Sequence, residues 1–80
     1  LTNLQTLHVQ ENNSITDIAL SYLRPLISLR YLDLSHCILL TDDGIRYLSV
    51  LTNLRTLNLM GCKFVHHMGI AHLDNVTVSQ

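Results

Sequence analysis

The chain has no excess of positive charge: 5 Lys and Arg stand against 6 Asp and Glu, a formal net charge of −1 with its five His neutral. Proteins that grip nucleic acid neutralise phosphates with clustered cations, so this balance argues against DNA or RNA as a partner. Charged residues are scarce at 14%, while apolar ones reach 48%, the reverse of a chain too polar to bury a core. No apolar run approaches the roughly 20 residues of a membrane span, which argues against a membrane partner. No basic stretch leads into an apolar segment, and the first residue is Leu1 rather than Met, so the sequence is expected to be an excised stretch with no targeting peptide. Eighty residues fit one domain and are short for a two-domain enzyme with a cleft between its halves. There is no glycine-rich phosphate loop either. Gly44 and Gly69 share one repeat position with Ala19, which reads as a need for small size where a helix packs closely.

What the chain does have is leucine, 17 residues of it, at a spacing of 25. Leu4, Leu29 and Leu54 form one series, Leu7, Leu32 and Leu57 a second, Val9, Leu34 and Leu59 a third, and Leu23, Leu48 and Leu73 a fourth. Self-similarity at such a period marks a repeat architecture. The units run 1–25, 26–50 and 51–75; the pattern restarts at Val76 and fails at Ser79, where the next ladder Leu is due, so 76–80 is expected to be the start of a further coil or a tail.

Each unit changes its period part-way. Leu32 and Leu34 alternate with Tyr31, Asp33 and Ser35, which predicts a short strand with the leucines inward and the other three outward. Ala19, Leu20 and Leu23, like Gly44, Ile45 and Leu48, have the spacing of one helix stripe, which predicts a helix of about two turns. Thr16-Asp17 and Thr41-Asp42 precede these stripes. A Thr hydroxyl can accept from the unpaired N–H groups of a first turn, and Asp favours the positive helix end. Pro25 forbids continuation of the first helix. The strand of each unit can then pair in parallel with that of the next.

The motif LxxLxLxx(N/C) followed by xx(I/L/V)TDxxLxxL is carried by Leu29, Leu32, Leu34, Cys37, Leu40, Thr41, Asp42, Ile45 and Leu48. Over residues 1–75 the chain resembles a leucine-rich repeat protein of the cysteine-containing subtype, as found in F-box substrate receptors of ubiquitin ligases and related adaptors. The resemblance implies an α/β solenoid: three 25-residue strand-helix coils, with a parallel sheet on the concave side and helices on the convex side. It also implies reduced thiols, hence an intracellular setting in the cytoplasm or nucleus. The third unit departs from the pattern, because Val65-His66-His67 replaces the Thr-Asp start and weakens its helix cap.

Asn12, Cys37 and Cys62 hold the inward polar position of the three coils. An amide or thiol there can bond backbone groups left free as the chain turns out of the strand, so the three are expected to form a structural ladder. Neighbouring strands would place Cys37 and Cys62 about 5 Å apart, within disulfide range, but side chains pointing the same way into a filled core are a poor start for the required dihedral. Catalysis finds no support. His36 abuts Cys37, yet adjacent residues of an extended chain face opposite ways. Cys62, His66, His67 and His72 lack the i, i+4 histidine pairing that aligns zinc ligands on a helix. No cofactor, metal or enzyme activity is expected. The triplets Asn12-Asn13-Ser14 and Asn75-Val76-Thr77 could accept glycans, but an inward Asn12 could not carry one without disrupting its coil.

The outward strand surface forms rows across the coils: Gln5, Arg30, Arg55; Thr6, Tyr31, Thr56; His8, Asp33, Asn58; and Gln10, Ser35, Met60. Such rows can be a plain solvated face. Tyr and Arg, however, anchor interfaces more often than other residues, and varied residues at fixed positions are how a solenoid presents a binding surface. The expected function is protein–protein interaction, with Arg30, Tyr31, Asp33, Arg55, Asn58, His8 and Met60 as the partner-binding set. The alternative is a structural scaffold segment. Because Leu1, Leu4, Leu7 and Val9 begin in full register without a polar cap, the chain is also expected to stack against neighbouring repeats of a longer parent array.

Overall fold

The computed structural model describes residues 3–80. Leu1, which opens the first repeat, lies outside the described residues. Strands β1 (Thr6–His8), β2 (Tyr31–Asp33), β3 (Thr56–Asn58) and β4 (Thr77–Ser79) form one parallel sheet in sequence order. Helices α1 (Asp17–Ser21), α2 (Asp42–Arg46) and α3 (His67–Ile70) lie between successive strands, and a 3-10 turn over Tyr47–Val50 extends the second return. This is the α/β solenoid that the periodicity calls for, with helices of about one turn rather than two. The first ends at Ser21, ahead of Pro25.

The core is the leucine ladder. Leu29, Leu32, Leu34, Cys37, Leu40 and Ile45 of the second coil are fully buried, and Leu54, Leu57, Leu59, Cys62 and Val65 of the third nearly so. In the first coil, Leu4, Leu7, Val9 and Ile15 are only partly buried, because one side of each has no described coil against it. A fully buried Leu contributes about 1.5–3 kcal/mol, against about 1 kcal/mol for an ordinary internal hydrogen bond. The leucines therefore supply most of the stability, and polar contacts between coils set how the coils register.

One of those contacts starts at the helix N-termini. Thr16, Thr41 and His66 occupy the N-cap positions, as the Thr-Asp signals suggest, but only Thr41 caps with its side chain, accepting from the Asp43 N–H at 3.3 Å. Each Asp reaches instead to the following coil. Asp17 accepts from the Thr41 N–H at 2.8 Å and the Thr41 hydroxyl at 2.5 Å, and Asp42 accepts from the His66 N–H at 2.6 Å. A Cβ at Gly44 would overlap Asp17 Oδ1, and one at Gly69 would overlap Asp42 Oδ1. The small residue is thus dictated by the carboxylate of the preceding coil. Ala19 faces no such carboxylate among the described residues.

A second contact is the thiol ladder. Cys37 Sγ donates to the Val9 carbonyl at 3.2 Å, and Cys62 Sγ donates to the Leu34 carbonyl at 3.1 Å. Both cysteines are free and buried. Asn12 differs from its expected inward placement: it is exposed and accepts from the Ser14 N–H at 2.9 Å, having no described coil whose carbonyl it could meet. The steric argument against a glycan on Asn12 falls with that placement. The turn beyond each strand needs left-handed backbone at one repeat position, occupied by Glu11, His36 and Gly61 with φ of 61°, 59° and 78°.

The fourth strand breaks the period. Thr6, Tyr31 and Thr56 stand 25 apart, whereas Thr77 pairs with Thr56 after only 21 residues. Keeping the period would put polar Ser79 at a ladder position; the shorter return lets Val78 pair with Leu57, after a left-handed turn at Asn75 with φ of 62°. In the third coil, Asn53 Nδ2 donates to the Ile27 carbonyl of the second at 2.7 Å. The equivalent carbonyl of Thr52 instead accepts from Arg55 Nη1 at 3.0 Å. A cleft of about 300 Å³ remains beside Leu48, Leu51, Leu54, His72, Leu73 and Val76.

The carboxylate–glycine contact yields a double-mutant test. Gly44→Ala alone should destabilise by about 1–3 kcal/mol through overpacking. In an Asp17→Ala background the same change should cost less, since the carboxylate overlap is gone and Ala is the better helix former, although the added Cβ would still lie 3.0 Å from the Cα of residue 17. Urea unfolding of the four proteins measures the coupling; equal costs in both backgrounds would show that Asp17 is not what Gly44 accommodates.

Candidate interaction surface on the strand face

The register β1-β2-β3 aligns Thr6, Tyr31 and Thr56 in one row and His8, Asp33 and Asn58 in the next; β4 extends the rows with Thr77 and Ser79. Tyr31 is half-buried. His8 meets its ring edge-on, with centroids 5.2 Å apart and planes at 78°, a favourable arrangement for two π-systems that also limits how the tyrosine can move. The row neighbours Thr6 and Thr56 are too small to cover it.

Asp33 is not the open, outward charge that strict alternation predicts. It is buried at 8% exposure, with Oδ1 accepting from the Ser35 N–H at 3.0 Å and Oδ2 lying 3.8 Å from His8 Nδ1. Burial by itself would raise its pKa, but the Ser35 hydrogen bonds and the proximity of His8 outweigh that and hold the carboxyl below its ordinary value. Asn58, one coil on, makes the same turn, its Oδ1 accepting from the Met60 N–H at 3.0 Å. Short side chains at this strand end bond their own backbone two residues on, which local alternation does not encode.

The remaining members of the expected set are open. His8 and Met60 are exposed, Met60 at 50%. Arg30 and Arg55, also exposed, begin adjoining strands, with the Arg55 N–H donating to the Arg30 carbonyl at 2.9 Å. Arg55 Nη1 is tied to the carbonyls of Thr52 and Leu54, both at 3.0 Å. A group of exposed apolar residues away from the strands has no counterpart among the expected site residues: Ile18, Tyr22, Leu39, Phe64 and Met68. Leu39 and Phe64 share one repeat position, as do Ile18 and Met68, and their signal was an apolar residue where another coil carries a polar one.

Chemistry beyond binding has no geometry here. Cys37 Sγ points to a backbone carbonyl of the first coil while His36 is exposed, so the two do not pair as nucleophile and base. Among the described residues no three His, Cys, Asp or Glu side chains gather as a metal-binding group, and no helix is long and apolar enough to cross a membrane.

Comparison with known proteins accords with this architecture. A family model described as leucine-rich repeats in two copies matches residues 2–47, and a second leucine-rich repeat model matches residues 50–65. The chain belongs to the leucine-rich repeat family. Repeat domains of this family generally mediate protein–protein interaction and are typically not enzymes. No curated protein gives a significant match to the chain.

Two tests bear on this leucine-rich repeat segment. Both thiols are buried, so a thiol reagent should label Cys37 and Cys62 slowly in the native chain and quickly in denaturant; burial also pushes the Cys62 thiol pKa up, and the thiolate is the reactive form. Rapid native labelling of both would show that the ladder is open. Cys62→Ala should cost about 1 kcal/mol for the lost bond to the Leu34 carbonyl. For Asp33, a folded pKa below the unfolded one means stability that is present above the unfolded value of 3.8 and lost as pH falls through the folded value. Asp33→Asn should flatten the fall in stability through that acid range, measured by urea unfolding at stepped pH; an unchanged slope would contradict the assignment.

Proposed function

We propose that the strand face binds a partner protein and that recognition, with no bond made or broken, is the whole activity of this segment. The observation that carries the reading is Tyr31, braced edge-on by His8 and left half-open between small Thr neighbours. A pre-positioned aromatic side chain loses little freedom on binding and is the type of residue that dominates interfaces. Arg30, Arg55, Asn58 and Met60 surround it as contacts, while Asp33 acts chiefly by fixing the His8 and Ser35 positions.

Four strands at about 4.8 Å spacing make a strip about 14 Å across, narrow against the roughly 800 Å² that each partner gives to a standard interface. Neighbouring repeats of a parent chain would complete the surface, and the part-open ladder of Leu4, Leu7, Val9 and Ile15 suits stacking against such a repeat. That same feature favours the second reading, a scaffold segment that spaces other regions without a ligand of its own.

The finer assignment is to the cysteine-containing subtype, in the substrate-recognition part of an F-box-type ubiquitin ligase adaptor in the cytoplasm or nucleus. It is supported by Cys37 and Cys62 at the ladder position, followed in the second coil by Thr41-Asp42, and by free thiols that suit a reducing compartment. Affinity capture with mass spectrometry, followed by calorimetry on the captured partner, tests the proposal. Tyr31→Ala should weaken binding by about 1–2 kcal/mol, and Arg46→Ala, whose guanidinium pairs with exposed Asp43 on α2, should leave it unchanged. The reverse pattern, in a Tyr31→Ala protein with intact fold, would move the interface off the strand face.

A further inference from the structure

Charge on this molecule is not spread evenly. Of the acidic residues, Asp17 and Asp42 are bonded to the next coil, Asp33 is buried against Ser35 and His8, and Asp43 is paired with Arg46 at 2.6 Å. The four carboxylates that lie within strands and helices are thus held by internal contacts, while Glu11 and Asp74 lie in turns. Arg30 and Arg55 are not so paired: among the described residues neither has a carboxylate within ion-pairing distance, and they directly precede adjoining strands whose backbones lie about 5 Å apart. Like charges placed across neighbouring strands disfavour the sheet. Their proximity therefore does not favour the sheet, and among the described residues they are two cations without a carboxylate partner on a chain whose formal net charge is −1.

The geometry of Arg55 sharpens this. Both hydrogens of its Nη1 are taken by the Thr52 and Leu54 carbonyls, which anchors the side chain. A guanidinium has five donors, so the edge made by Nε and Nη2 is left over, and that edge matches the two oxygens of a carboxylate. The side-chain freedom a surface arginine normally loses on binding is already lost here.

We infer that the strand face takes an acidic segment of a partner protein, with Asp or Glu carboxylates on the Arg30–Arg55 pair and an adjoining side chain of the same segment against Tyr31. The inference rests on the strand face being the interaction surface and adds the chemistry of what lies on it. Steering by the unpaired cations raises the rate of encounter, and the anchored Arg55 supplies directionality.

Fluorescence anisotropy of the 80-residue chain with a labelled glutamate-rich decapeptide tests it, alongside glutamine-rich, lysine-rich and phosphoserine-containing decapeptides. The glutamate peptide should bind more tightly than the glutamine and lysine peptides, and weaken as salt is raised from about 50 mM to about 0.5 M. Arg30→Gln and Arg55→Gln should each loosen it about two- to fivefold, the range of an exposed ion pair, and the double variant by about tenfold. Binding of the phosphoserine peptide alone, or affinities untouched by the double variant, would overturn the inference. A partner captured by the parent chain separates the two levels: loss on Tyr31→Ala with full retention in the Arg30→Gln, Arg55→Gln double variant would keep the strand face and remove the acidic segment, whereas retention in both variants would remove both.

Discussion

The carboxylate of Asp17, closed on the backbone and hydroxyl of Thr41 and on the bare Cα of Gly44, is the contact on which the spacing of the coils depends. It recurs one coil later between Asp42, the His66 N–H and Gly69. Leucine burial is larger in energy, but a hydrophobic contact is non-directional and tolerates sliding. A charge-assisted hydrogen bond of 2.5–2.8 Å does not. The polar contact therefore fixes where each helix starts relative to the one before it, and the thiol-to-carbonyl bonds of Cys37 and Cys62 fix the matching point at the far end of each strand.

With the coils held at both points, residues 25 apart must lie side by side, which turns a sequence repeat into rows on a surface. His8 reaches Tyr31 and Asp33 only because β1 and β2 are in that register; a slip of one residue would send each of these side chains to the opposite face. The polar character of the strand face follows from the same device, since its short side chains are spent on the turn that leaves the strand, as at Asp33 and Asn58. What remains open is the half-buried Tyr31 ring together with His8, Met60 and the two arginines.

Much of this was legible in the sequence because it is periodic. The ladder positions, the parallel strands, the helix starts at Thr16 and Thr41 and the buried thiols all follow from matching residues at a fixed interval. Interactions across that interval were harder to read. Asp17 and Asp42 look like local helix-start residues, and nothing within six residues of either reveals a partner 24 positions away. Gly44 and Gly69 could be recognised as necessarily small, but not why. Asn12 shares its repeat position with two buried cysteines and is nevertheless exposed, because position in a repeat sets burial only where a neighbouring coil supplies the other wall. The early fourth strand escaped because Val76 and Val78 satisfy alternation as well as any leucine pair, and period alone cannot choose between competing registers. Asp33 was misplaced because strand alternation speaks of direction and not of the hydrogen bond that folds the carboxylate back.

Native-state hydrogen exchange at one repeat position tests the central claim most directly. The amides of Thr41 and His66 donate to the carboxylate of the coil before them, while Thr16 occupies the same position with no described coil before it. Strong protection is expected at Thr41, protection at His66, and near-unprotected exchange at Thr16, with Asp17→Ala removing protection at Thr41 while the amide of Leu34 stays protected. Equal protection at Thr16 and Thr41, or an unchanged Thr41 amide in Asp17→Ala, would contradict it.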